Sequence, residues 1–109
     1  MEAFDALTLC DEKTERVWVQ VWAELKDGRL TLSGQDLGVA VEEYLGTDEL
    51  EYWYYFDENN TSRLISLLTD GKLDLKESLL HWFGGLDGCK KLRAFCQENK
   101  VEYKYMSWR

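Results

Sequence analysis

The sequence predicts an α+β fold in two layers: a mainly antiparallel sheet of about four to five strands, with helices packed on one face. Three observations favour this class. Residues 16–25 and 50–56 alternate with a period of two, as strands do. The second half carries apolar side chains at helical spacing behind residues that can cap helices. Residues 101–108 return to strand composition, so they can pair with the sheet.

Residues 16–25 are the clearest strand. One of its faces carries Val17, Val19, Val21, Ala23 and Leu25. The other face is amphipathic and aromatic, with Trp18, Gln20, Trp22 and Glu24. Residues 26–29 supply a turn whose glycine can take a positive φ, and residues 30–32 alternate again, which predicts a hairpin. A weaker pattern predicts an earlier strand in residues 3–10.

Residues 36–45 predict a short helix. Its stripe consists of Leu37, Val41, Tyr44 and Leu45. Gly46 can close this helix in the left-handed conformation. Residues 50–56 are rich in aromatics that favour a pleated, half-buried surface, so they predict a central strand with two occupied faces.

Three helices are predicted in the second half. Asn60 or Thr61 can cap the first, which ends near Gly71. The second begins after Asp74 and ends at residues 84–85, and the third begins after Asp87. Residues 101–108 then form the closing strand.

Length and composition predict a single domain spanning residues 1–109. The chain has 109 residues, 45% of them hydrophobic and 31% charged, with no proline, and this excludes a disordered or membrane-spanning protein. The acidic start lacks a signal peptide's pattern, and the three cysteines match no disulfide framework. We therefore expect free thiols and a cytoplasmic location. This character is common among small bacterial proteins, so we expect a bacterial source.

The net charge of −8 is unevenly distributed. Residues 1–58 hold 15 acids and 4 bases, whereas residues 59–109 hold 6 acids and 9 bases. An acidic surface attracts a basic partner and repels nucleic acid and anionic membrane. The alternative is that the two halves neutralise each other in the folded protein and the remaining charge only aids solubility.

The sequence contains no pattern typical of catalysis, cofactor binding or metal binding. His81 is the only histidine, which excludes a metal site built from several imidazoles. Residues 84–88 are glycine-rich but lack the lysine of a phosphate loop, and they are explained by a connection between helices. Cys89 and Cys96 lie seven residues apart on one predicted helix, about 10 Å along its axis, too far for a disulfide. We expect no enzyme activity, no cofactor and no metal.

These observations predict a non-catalytic protein-binding module of the inhibitor, antitoxin or immunity type, with an acidic, aromatic surface for a basic partner protein. The candidate partner-binding residues are Glu42, Glu43, Tyr44, Asp48, Glu49, Glu51, Trp53 and Tyr55. Two alternatives stay open. One is a small-ligand-binding domain or modest enzyme with a cleft near His81. The other is a homo-oligomer, for example a homodimer, in which the acidic half meets the basic half of a second copy.

Overall fold

A five-stranded antiparallel sheet forms the framework of the computed structural model, which describes residues 3–70 and 74–109. The strands follow each other in sequence order: β1 (Phe4–Lys13), β2 (Trp18–Lys26), β3 (Arg29–Leu37), β4 (Glu49–Tyr55) and β5 (Lys104–Trp108). The described helices are α1 (Val39–Leu45), α2 (Glu58–Thr69), α3 (Leu75–Phe83) and α4 (Gly88–Asn99). The α+β class and the antiparallel sheet are confirmed. Packing of the helices on one face stays a prediction.

The predicted hairpin joins β2 to β3. Asp27 and Gly28 form its two-residue turn with φ values of 54° and 74°, and Lys26 pairs with Arg29. Two consecutive positive φ values give the tight turn that matches the twist of antiparallel strands. Both flanking strands keep the predicted alternation, because Val21, Ala23 and Leu25 are buried while their neighbours are more exposed.

The helix predicted for residues 36–45 begins later than expected. Asp36 and Leu37 belong to β3, which pairs with β2 on one side and β4 on the other as far as Leu37. Hydrogen bonds to two neighbouring strands outweigh the weak strand propensity of this segment. Gly38, at φ 125°, ends the strand, and α1 follows and closes at Gly46 with φ 77°.

The first helix of the second half is capped differently from the prediction. Asp57 accepts the backbone N–H of Asn60 at 2.8 Å, so the helix begins at Glu58. Thr61 lies within α2 and is fully buried, where its hydroxyl accepts the backbone N–H of Leu30 at 3.0 Å. The predicted stop at Gly71 lies outside the described residues.

The other two predicted caps lie before α3 and α4. Asp74 accepts the backbone N–H of Glu77 at 2.8 Å, as predicted. Asp87 precedes α4 as predicted, but its side chain makes no capping hydrogen bond. Its backbone, at φ −98° and ψ 10°, lacks the extended conformation from which a capping side chain reaches the first turn.

The core joins one set of strand residues to the inward faces of the helices. Its fully buried members include Ala23, Leu25, Leu30, Leu32, Tyr54, Phe56, Leu64, Leu79, Phe83, Leu92 and Cys96. All three cysteines are free, as expected. None of the helices in residues 3–70 and 74–109 is long and apolar enough to cross a membrane.

Candidate functional site

The sheet face opposite the core, called the outer face here, carries a cluster of large aromatic side chains. Residues that pair across neighbouring strands point to the same face of a sheet. The register places Trp22, Ser33, Trp53 and Met106 in one row across β2 to β5. Trp108 lies in the next row, opposite Glu51. These three tryptophans and the methionine therefore point to the same face of the sheet.

Much of this apolar surface is accessible to solvent. Met106 is 49% exposed and Trp108 is 71% exposed, while Trp22 and Trp53 are half-buried. Tyr55 extends the cluster along β4 and is 39% exposed. Tryptophan, tyrosine and methionine are enriched at protein–protein interfaces relative to the rest of the protein surface.

Two carboxylates lie beside the tryptophans. Glu49 and Glu51 alternate with core-facing residues on β4, so both point to the outer face. Gln35 donates a hydrogen bond to Glu49 at 2.8 Å. Partial desolvation and the neighbouring Glu49 raise the pKa of Glu51. A shallow cavity of about 190 Å³ is lined by these two glutamates together with Trp108 and Arg109.

The other candidate partner-binding residues lie at the end of the sheet. Glu42, Glu43 and Tyr44 are exposed on α1, which packs against β3 and β4. Asp48 is exposed in the connection from α1 to β4, and its carbonyl accepts the backbone N–H of Gly38 at 2.8 Å. The candidates therefore form two adjoining groups: four on β4 at the outer face, and four around α1.

Trp22, Met106 and Trp108 were not among the candidate residues. Trp22 and Trp108 are visible as strand aromatics in the sequence, but only the pairing register places them beside Trp53 and Glu51. Trp18 plays a different part, since its indole N–H donates to Asp11 at 2.8 Å and Lys13 lies 5.1 Å from its ring centre.

Among residues 3–70 and 74–109, no ion pair joins the acidic half to the basic half. The ion pairs among the described residues are Arg16–Glu43, Arg29–Glu58 and Lys91–Asp87. Each joins two residues of the same half. Within the described ranges no Lys or Arg nitrogen lies within 4.0 Å of the carboxylates of Glu42, Asp48, Glu49 or Glu51.

A second cavity, called the inner cleft here, lies on the core side of the sheet between β2–β5 and α4. It has a volume of about 240 Å³, and its polar lining includes Asp36, Tyr52, Tyr54, Cys89, Lys90, Arg93 and Tyr105. The ring of Tyr52 lies on Gly34, its partner across β3 and β4, where a Cβ atom would be 2.2 Å from the ring. The Tyr52 hydroxyl donates to Asp36 at 2.9 Å.

The other end of the inner cleft is built by α4. The guanidinium of Arg93 donates to the hydroxyl of Tyr54 at 2.7 Å. Burial raises the pKa of Tyr54 to about 12 and that of Cys89 to about 11. Both groups are consequently protonated at neutral pH, so Cys89 lacks the thiolate that nucleophilic attack requires.

His81 is exposed on α3 and lies edge-on to Trp82, with ring centres 5.8 Å apart. It does not line the inner cleft, which α4 borders instead. Among the described residues, no group of three or more His, Cys, Asp or Glu side chains could hold a metal ion.

Comparisons with protein-family models, with curated proteins and with solved structures found no match to this chain. The fold and its surfaces define it as an α+β protein with an aromatic, acid-flanked sheet face and a separate polar cleft.

Proposed function

We propose that this chain is a non-catalytic protein-binding module whose outer face docks a basic segment of a partner protein, in the manner of an inhibitor, antitoxin or immunity-type protein. The observation that carries the proposal is the register that places Trp22, Trp53 and Trp108 on one sheet face with Glu49 and Glu51. Tryptophan in a water-excluding contact is among the strongest contributors to binding energy at protein interfaces.

The charge of the outer face favours a cationic partner. Glu49 and Glu51 stand next to each other at one end of this face, where desolvation first and then the neighbouring Glu49 raise the pKa of Glu51. A Lys or Arg side chain of a partner would relieve the repulsion between the two carboxylates and lie against the ring of Trp108, where cation–π attraction adds to the ion pairing. The opposite end of the face carries Lys104, opposite Tyr55, so we expect the cationic side chains at the Glu49 end.

The same charges disfavour nucleic acid as the occupant of the outer face. Proteins that stack bases on a sheet gain much of their affinity from phosphate neutralisation by Lys and Arg. Here the tryptophans stand beside Glu49 and Glu51, which form no ion pair with the residues that the structure describes. A basic protein segment would pack against the rings and at the same time form ion pairs with the carboxylates.

Selection from a library of random 12-residue peptides displayed on phage, with the purified protein as bait, tests this function. We expect the enriched peptides to combine Lys or Arg with apolar residues. Synthetic copies should bind about tenfold or more weakly to Trp108→Ser, a loss of about 1.4 kcal/mol or more. Glu51→Gln should weaken binding at low salt and much less at high salt, because salt screens the lost attraction.

Trp82→Ser is the matched control, since Trp82 is an exposed tryptophan on α3, which belongs to a different surface. It should bind the selected peptides like the parent protein. Enrichment of acidic peptides, equal binding to Trp108→Ser, or no enrichment above the Trp108→Ser bait would each refute the proposal.

A further inference from the structure

The inner cleft is a small built cavity with charges at both ends. Its volume of about 240 Å³ lies just below the ~300–1,000 Å³ of pockets for drug-sized molecules, so it fits a compact metabolite. Asp36 lines the cleft from β3, called its acidic end here, and Lys90 and Arg93 line it from α4, called its basic end here. The rest of the lining consists of Cys89, three tyrosines and apolar residues.

The acidic end has unused hydrogen-bonding capacity. Asp36 is half-buried and accepts one hydrogen bond, from Tyr52. A carboxylate can accept about four, and within the described part of the chain no Lys or Arg nitrogen lies within 4.0 Å of it. A half-buried charge without an opposite charge destabilises the folded state, and desolvation raises the pKa of Asp36 accordingly. An ammonium group from a ligand would compensate this carboxylate.

The basic end is also uncompensated. Lys90 and Arg93 are three residues apart on α4, so they lie on one face of the helix. Arg93 donates one N–H to the neutral hydroxyl of Tyr54, so four of its five N–H donors remain available to a ligand. Neither side chain forms an ion pair with the described residues. A ligand carboxylate would accept two parallel hydrogen bonds from the guanidinium of Arg93.

Asp36, Lys90 and Arg93 line one cavity, but Asp36 forms no ion pair with either cation. A complementary ligand therefore carries both a positive and a negative charge. Val19, Leu50 and Leu86 add an apolar wall. We propose that the inner cleft binds a small zwitterion of the α-amino-acid type with an aliphatic side chain. Its ammonium group is held by Asp36, its carboxylate by Arg93 and Lys90, and its side chain lies against the apolar wall.

This inference is independent of the proposed function, because the inner cleft and the outer face lie on opposite sides of the sheet. Asp36 and Tyr52 face the core, whereas Glu51 and Trp53, which flank Tyr52 on β4, point to the outer face. A substitution such as Trp108→Ser should therefore leave binding in the cleft unchanged. Failure of one proposal would not count against the other.

Titration of the ¹⁵N-labelled protein with each of the twenty standard L-amino acids, followed by ¹H–¹⁵N NMR, tests the inference. We expect one or more aliphatic amino acids to shift the backbone amides of Gly34, Asp36, Cys89 and Arg93. The decisive comparison uses L-leucine with its two halves, 4-methylpentanoate, which lacks the ammonium group, and 3-methylbutylamine, which lacks the carboxylate. Each half should bind at least about tenfold more weakly, because it leaves one charged end of the cleft uncompensated.

Two variants and a control complete the test. Asp36→Asn and Arg93→Gln should each weaken binding about tenfold or more, while Lys91→Gln, at a position of α4 that does not line the cleft, should bind like the parent. The inference is overturned if no amino acid shifts amides of the cleft, if the shifts cluster elsewhere, or if the single-charge halves or the Asp36→Asn variant bind equally well.

Discussion

Gly34 decides how the ring of Tyr52 lies. The absence of a Cβ at Gly34 lets the ring lie flat on β3, and from there its hydroxyl reaches Asp36, two residues further along the same strand. The alternation of residues 50–56 predicts that Tyr52 and Glu51 lie on opposite faces of the strand, and in the structure Tyr52 is the one that faces the core. The contact with Gly34 could not be predicted, because it depends on which residue of β3 stands opposite Tyr52.

Gly34→Ala should destabilise the protein by about 1–3 kcal/mol, the usual cost of overpacking. The new methyl group would overlap the ring of Tyr52, which is 7% exposed and is held in place by its hydrogen bond to Asp36. The lower chain entropy of alanine in the unfolded state offsets only part of this cost. Urea unfolding measures the effect. In a Tyr52→Val background the same substitution should cost much less, and an equal cost in both backgrounds would show that the ring is not the cause.

Asp36→Asn should stabilise the protein at pH 7. Burial holds the pKa of Asp36 above its value in the unfolded chain, so protonation of this group favours the folded state. That contribution is present at low pH and is lost as the pH rises through the raised pKa. The variant carries no charge and can still accept the Tyr52 hydroxyl, so its advantage in melting temperature should be present at pH 7 and fade as the pH falls toward 3.8.

The exposed Asp5→Asn is the control for this measurement and should change the melting temperature little. A lower melting temperature for Asp36→Asn at pH 7 would contradict the prediction. A stabilised variant that no longer binds amino acids would also separate a functional role of Asp36 from a structural one, because the loss of binding could not be attributed to unfolding.

Helix starts show how far local sequence determines an element. An aspartate before an apolar stripe marks α3 correctly because the extended backbone at Asp74 lets its carboxylate reach the N–H of Glu77. The same sequence signal before α4 fails, because Asp87 adopts a different backbone conformation after the glycine-rich connection. The residue type is visible in the sequence, whereas the backbone angles that allow capping depend on how the preceding connection is packed.

Asp74→Ala should therefore destabilise the protein by about 1 kcal/mol, the typical value for the loss of a helix cap. Asp87→Ala should cost clearly less, because its side chain makes only an exposed ion pair with Lys91 at 3.6 Å, and such pairs contribute little. Urea unfolding of the two variants in parallel provides the measurement. Equal losses would contradict the capping geometry described here.

Among the strands too, some features follow from the local sequence and others depend on pairing with distant segments. The β2–β3 hairpin is encoded by Asp27-Gly28 between two alternating segments, so it could be predicted. The extension of β3 to Leu37 could not, because residues 33–37 favour a strand only when partners stand on both sides. The same limit applies to the outer face: Glu49, Glu51, Trp53 and Tyr55 share one strand and were identified together, whereas Met106 and Trp108 join them only through the pairing of β4 with β5.

At the level of the whole molecule, the charge distribution shows whether the two halves stabilise each other. The described ion pairs stay within a half, and no Lys or Arg nitrogen of the described residues lies within 4.0 Å of Glu42, Asp48, Glu49 or Glu51. Repulsion among like charges should then outweigh attraction between the halves. In a protein with a net charge of −8, such repulsion destabilises the compact state.

Raising NaCl from about 0.01 M to about 0.3 M should consequently increase the melting temperature, since it shortens the screening length from ~30 Å to below ~10 Å. KCl should act like NaCl if screening is the cause. Glu51→Gln removes one of two adjacent carboxylates, so it should raise the melting temperature at low salt and reduce the salt dependence. A melting temperature that falls with added salt would instead mean that attraction between the acidic and basic halves stabilises the fold. The carboxylates of the outer face would then be partly neutralised within the chain and less available to a basic partner.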